Sequence, residues 1–185
     1  ETSKSIPSFG VTASTTLRKK LQSGISLITP SLSYQKTEYK NQSLDPIFDL
    51  HVKNGNYFNS SKQDLFFGKD RIADQEYFLA KIKWRARFKN KQGILFQITK
   101  KNELEASRVL NQMLGANLDD DRQSGIRAEW IGLKANIFLE ANYSDERSEL
   151  NFANTSFRFE HQDMQFSISR KFRRQVPLLG SKNEL

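Results

Sequence analysis

The chain has 185 residues, is 37% hydrophobic and 27% charged, and carries a formal net charge of +8. Without a cysteine it has no disulfide framework and no thiolate metal site, and no apolar run approaches the ~18 residues of a membrane-spanning helix. That excludes a helical membrane protein but not a β-barrel, whose strands need only ~9–11 alternating residues.

The length suits one domain with a sizeable core, and 14 Phe, 5 Tyr and 2 Trp suit strands. Residues 8–16 (SFGVTASTT) are small and β-branched. In 24–39 (GISLITPSLSYQKTEY), Ile25, Leu27 and Thr29 alternate on one side, then Leu32, Tyr34 and Lys36, as though Pro30 shifts the phase. A proline inside a strand predicts an edge or a bulge. Residues 40–75 show no sustained period and read as a long loop, with short strands near 46–52.

The clearest strand is 76–89, EYFLAKIKWRARFK. Phe78, Ala80, Ile82, Trp84, Ala86 and Phe88 form one face, and Tyr77, Leu79, Lys81, Lys83, Arg85 and Arg87 the other. The result is a ribbon with one oily and one basic side. The turn signal NKQG (90–93) leads into ILFQITKK (94–101), completing a hairpin. NELEASRVLNQMLG (102–115) reads as one short loop helix with Asn102 as N-cap and Gly115 as terminator, and the loop extends to about 125. Strands resume over 126–145, where Ala135, Ile137, Leu139, Ala141 and Tyr143 share a face and Phe138 is the apolar exception on the polar one. A last hairpin joins 155–160 to 164–172.

Soluble half-buried sheets alternate too. Strands of 10–14 residues, a continuous charged face, and aromatics near the stripe ends (Phe78, Trp84, Phe88) favour a membrane barrel. The fold expected is all-β: an antiparallel transmembrane β-barrel segment, a meander of long hairpins, in one unit over 1–185 with long loops at about 40–75 and 102–125. A soluble basic β-domain that binds an acidic polymer is the alternative.

Several features occur in order. They are Ile6, Pro7 and Phe9; a Thr-Pro-led strand running into a Tyr-rich one; Pro46-Ile47-Phe48-Asp49; Phe58-Asn59; Leu65-Phe66; and Asp70-Arg71-Ile72-Ala73-Asp74 just ahead of a long strand. Over residues 3–90 this set resembles the LptD (organic solvent tolerance) family of lipopolysaccharide-assembly proteins. FFGKDR (66–71) departs from the family's usual approach to that Asp-Arg, and the family's cysteines and periplasmic domain are not seen. The expectation is therefore a piece of a larger barrel or a divergent member.

The resemblance implies a conduit in the Gram-negative cell outer membrane that carries lipopolysaccharide to the outer leaflet. It also implies an LptE-like plug lipoprotein as partner, contact with outer-membrane lipid, and no cofactor. Lys81, Lys83, Arg85 and Arg87 then become lumen-facing anion-binding candidates, and Asp70 and Arg71 a pair that orders the long loop. Those cations can equally meet acidic groups of a plug or a neighbouring strand.

Catalysis finds little support. His51 and His161 lack spaced zinc partners, no nucleophile elbow is present, and Asp119-Asp120-Asp121 lacks the spacing of a calcium loop. No enzyme activity and no metal are expected. The cation clusters RKK (18–20) and RKFRR (170–174) come without a nucleic-acid-binding motif, so no nucleic acid is expected; near a barrel rim they would meet anionic head groups.

Overall fold

A computed structural model describes residues 6–41, 51–52, 66–67, 74–105, 107–109, 122–161 and 164–173. It is all-β. The strands are β1 (Ser8–Ser14), β2 (Leu17–Leu21), β3 (Gly24–Thr37), β4 (His51–Val52), β5 (Phe66–Phe67), β6 (Gln75–Phe88), β7 (Gly93–Glu105), β8 (Gln123–Ile131), β9 (Ala135–Ser144), β10 (Glu149–His161) and β11 (Met164–Arg173). Nine of them form one antiparallel sheet in the order β1-β3-β6-β7-β8-β9-β10-β11, with β2 also on β3; β4 and β5 pair separately. The sheet is open: β1 and β2 lie on one edge and β11 on the other.

Every contact between elements joins hydrogen-bonded neighbours, so the nine-stranded sheet is a single layer. In a single layer a side chain is covered only by its sheet neighbours, which crowd together on the inside of a curved sheet. The two faces differ sharply. On one, Gln97, Lys101, Asn142 and Ser144 are 4%, 2%, 2% and 0% exposed; on the other, Ile82, Ile98 and Ile168 are 56%, 49% and 60% exposed. The covered, polar face is the inner one and the exposed, apolar face the outer.

This inverts the soluble arrangement, in which the apolar face is buried. Register makes the outer face continuous: Ile28 lies opposite Trp84, Trp84 opposite Phe96, Phe96 opposite Ala128, and Ala128 opposite Leu139. An exposed apolar surface of this extent is what lipid contact requires. Aromatics flank it. Phe9, Tyr34 and Phe78 make tilted ring contacts across neighbouring strands with centroids 6.4 and 5.1 Å apart, and Trp130, Phe159 and Phe166 lie towards the opposite end. Phe138 does sit on the inner face, half-buried.

Two expectations need correction. Pro30 shifts no phase: β3 runs in unbroken register against β6, with Ile28, Leu32 and Tyr34 all on the outer face and Ile25 and Leu27 on the inner. Nor is Pro30 at an edge or a bulge. Its carbonyl accepts from Thr15 N at 3.3 Å, so its missing N–H points to where β1 ends and β2 begins. The neighbouring strand breaks where the proline has no donor to give. The second correction concerns 102–105, which continue β7 through Glu105 rather than starting a helix. Only Arg108 and Val109 are helical among the described residues of 102–115. The connection to β8 is therefore 106–122.

The connections sort by end. Those of 22–23, 89–92, 132–134 and 162–163 are short and share one end; those of 38–74 and 106–122 lie at the other, with 145–148. Gly24 closes the short-turn end against β6: a Cβ there would meet Arg87 O at 2.0 Å, so Gly24→Ala forces backbone apart. Lys91, in the turn after β6, holds φ at 65°. Lys91→Gly is expected to relieve that left-handed conformation and stabilise the hairpin by up to about 1 kcal/mol, read as a higher unfolding midpoint.

Candidate functional site: the inner face and its loop end

The β6 alternation places Lys81, Lys83, Arg85 and Arg87 together on the inner face, as its period requires. Lys81 and Lys83 are half-buried, and Arg85 and Arg87 are exposed towards the short turns. None has a carboxylate at ion-pair distance among the described residues. Four successive like charges at alternate positions are unfavourable unless water or an anion compensates them.

Register extends the stripe in ways the sequence did not reveal. Arg18 and Lys20 of β2 lie opposite Leu27 and Ile25, which lie opposite Arg85 and Arg87. Across β7, Gln97 separates Lys83 from Arg127. Of the RKK cluster, Lys19 alone faces outward. In the RKFRR cluster, Lys171 faces inward, whereas Arg170 interrupts the outer stripe opposite Thr155.

The loop end is held by neutralised charges. Glu76 accepts from Tyr34 Oη at 2.7 Å and from Lys36 Nζ at 2.5 Å. Lys101, 2% exposed, pairs with Glu103 and lies 4.7 Å from the centre of the Tyr77 ring. A buried ammonium so enclosed rigidifies the wall and is not available to a ligand. A cleft of about 160 Å³, lined in part by Lys36, Glu38, Asp74, Glu105 and Arg108, opens beside Glu76.

Asp70 and Arg71 lie outside the described residues. The residue seen ordering a loop is Asp74, the last of the same run. Its carboxylate accepts from Ser107 Oγ at 2.8 Å, Arg108 N at 3.0 Å and Val109 N at 3.0 Å. It thus caps, from another segment, the start of the helical turn, satisfying amides that a helix leaves open. Asp74 is 8% and Val109 1% exposed, so the lost bonds would not be replaced by water. Asp74→Ala is expected to destabilise this junction by about 1–2 kcal/mol, seen as faster limited proteolysis within 106–122, with strand content unchanged by circular dichroism.

No group of three potential metal-ligating side chains occurs among the described residues. Residues 1–180 match the family LptD, LPS transport system D. The chain belongs to the LptD family. The match runs well past residues 3–90, which carry the motifs, so the later hairpins are family structure too. None of the curated proteins matches the chain. Membership gives it a role in lipopolysaccharide transport and assembly in the outer membrane, within a transport family rather than an enzyme family.

Proposed function

We propose that the chain is one wall of a larger LptD barrel and that its inner face conducts lipopolysaccharide to the outer leaflet. The observation that carries this is the stripe of Lys81, Lys83, Arg85 and Arg87 on the inner face, without an ion pair among the described residues, back to back with an exposed apolar face. Lipid covers the outer side, and the multiply anionic glycolipid supplies the missing counter-charges as it passes. Phosphate accepts several donors at once, and a row of flexible cations hands it on without a deep energy minimum. The open edges, β1 with β2 and β11, pair with further strands of the barrel. The long connections 38–74 and 106–122 face the cell exterior, since outer-membrane barrels keep their short turns on the periplasmic side. An LptE-like lipoprotein fills the part of the lumen that the substrate leaves free.

The test is a photo-crosslinking amino acid at position 83 of the full-length protein in cells. A lipopolysaccharide adduct at 83, and none at the outward position 82, supports the conduit. An adduct only to protein at 83 replaces the glycolipid with a plug as the partner of this stripe.

A further inference from the structure

The two ends of the sheet handle charge differently. At the loop end, cations are matched by acids: Lys36 by Glu76, Lys100 by Asp145, Lys101 by Glu103 and Arg122 by Glu146. At the other end, the described turns 22–23, 89–92 and 132–134 carry Lys89, Lys91 and Lys134 and no acid, and Lys19 faces outward just before the first of them. All four lysines are exposed, and none has an ion pair among the described residues. Successive turns stand two strand spacings, or roughly 10 Å, apart along the rim. Backbone bonds tie them to their neighbours: Lys89 N donates to Ser23 O and Glu160 N to Lys134 O, both at 2.7 Å. Lys91 keeps its left-handed φ of 65° where glycine would be unstrained, so the tip of this turn holds a charge at a conformational cost.

Apolar neighbours set the level of this rim. Phe88 and Trp130 end the outer apolar stripe on their strands. The Trp130 indole lies over the following turn: a Cβ at Gly132 would meet its ring carbons at 2.8 and 2.9 Å. Leu133, 65% exposed, stands in the same turn beside Lys134. Aromatics at the edge of a lipid-facing stripe mark the boundary between hydrocarbon and headgroups, and cations just beyond that boundary reach headgroup phosphates. The side chains also select the occupant. An arginine fork fits a fixed bidentate partner, whereas lysine ends in a rotatable point charge on a flexible apolar stem. Turns that hold lysine and no arginine, continuous with a lipid-facing surface, fit mobile anionic headgroups better than a fixed acidic protein surface.

We infer that Lys19, Lys89, Lys91 and Lys134 form a docking rim for anionic phospholipid of the periplasmic leaflet. The side of the membrane rests on the conduit reading, in which the short turns face the periplasm. The rim seats that end of the wall among headgroups outside the lumen, and it is separate from the basic stripe of β6.

The test reconstitutes the full-length protein in nanodiscs of phosphatidylethanolamine, with either spin-labelled phosphatidylglycerol or spin-labelled phosphatidylethanolamine as the probe. Phosphatidylglycerol is expected to enter the motionally restricted shell about threefold or more in preference to phosphatidylethanolamine. Replacing Lys19, Lys89, Lys91 and Lys134 together by Gln is expected to bring that ratio close to parity with assembly unchanged. Equal restriction of the two lipids by the unmodified protein, or a preference that survives the replacement, overturns the rim. A photo-crosslinking residue at 91, 134 and 83 of the full-length protein in cells separates the rim from the conduit. Phospholipid adducts are expected at 91 and 134. Adducts to protein alone, or mainly to lipopolysaccharide, at those two positions overturn the rim, and glycolipid capture at 83 then leaves the conduit standing. Phospholipid at 91 and 134 with no glycolipid at 83 supports the rim and overturns the conduit.

Discussion

Ile82→Arg and Trp84→Arg are each expected to block membrane assembly of the full-length protein, whereas Ser167→Arg is expected to assemble normally. All three introduce the same side chain on the same sheet. Ile82 and Trp84 lie on the outer face, 56% and 37% exposed; Ser167 lies on the inner face, opposite Arg158. Arginine facing lipid near the midplane costs roughly 2–4 kcal/mol, and arginine facing a wet lumen costs little. Trp84→Arg also removes the indole donor to Ser26 Oγ, a 2.9 Å bond across β3 and β6. The readout is the fraction of heat-modifiable, protease-resistant protein in the outer membrane. Normal assembly of the Ile82 and Trp84 variants would reverse the assignment of the faces.

Replacing Lys81, Lys83, Arg85 and Arg87 together by Glu is expected to leave assembly intact and to cut lipopolysaccharide delivery tenfold or more. The four side chains make no ion pair among the described residues, so the wall loses no partner when they change. The substrate loses charge-assisted hydrogen bonds worth about 1.5–3 kcal/mol each and meets repulsion in their place. A single loss of that size is already about tenfold or more in occupancy. Delivery is read with a membrane-impermeant label on surface glycolipid, normalised to assembled protein. Unchanged delivery would assign the cations to the wall's own electrostatics.

The wall was legible where one strand carries the whole signal. In β6 the period-2 pattern separates oil from cations without knowledge of any neighbour, and the fold puts the two sets on opposite faces. Where the outcome depends on a partner strand, local reading failed. Asn102 followed by acids resembles a helix start, yet residues 102–105 pair with β6, where Tyr77 lies opposite Glu103 and Glu76 opposite Glu105 across a bulge. Tertiary pairing overrides the local cue. Pro30 looked like a phase break because the strand that accommodates it, by interrupting itself, is 15 residues upstream. Asp74 had the signal of its run but not of its partner, since nothing in sequence ties it to residues 33 to 35 positions later. The adjacency of Glu140 and Asn154 was invisible for the same reason: they become neighbours only through the β9–β10 register.

A conduit needs lipid on one face of this sheet and water on the other. The chain has no cysteine; with any cysteine elsewhere in the full-length protein replaced, single cysteines can be placed at each position from 77 to 87 and spin-labelled in the assembled protein in bilayers. Collision rates with oxygen, which concentrates in lipid, and with a water-soluble nickel chelate then report each side chain's surroundings. Alternation with a period of two is expected: oxygen dominant at 78, 80, 82 and 84, and nickel dominant at 81, 83, 85 and 87. Nickel access on both faces, or oxygen dominance at the odd positions, would contradict it.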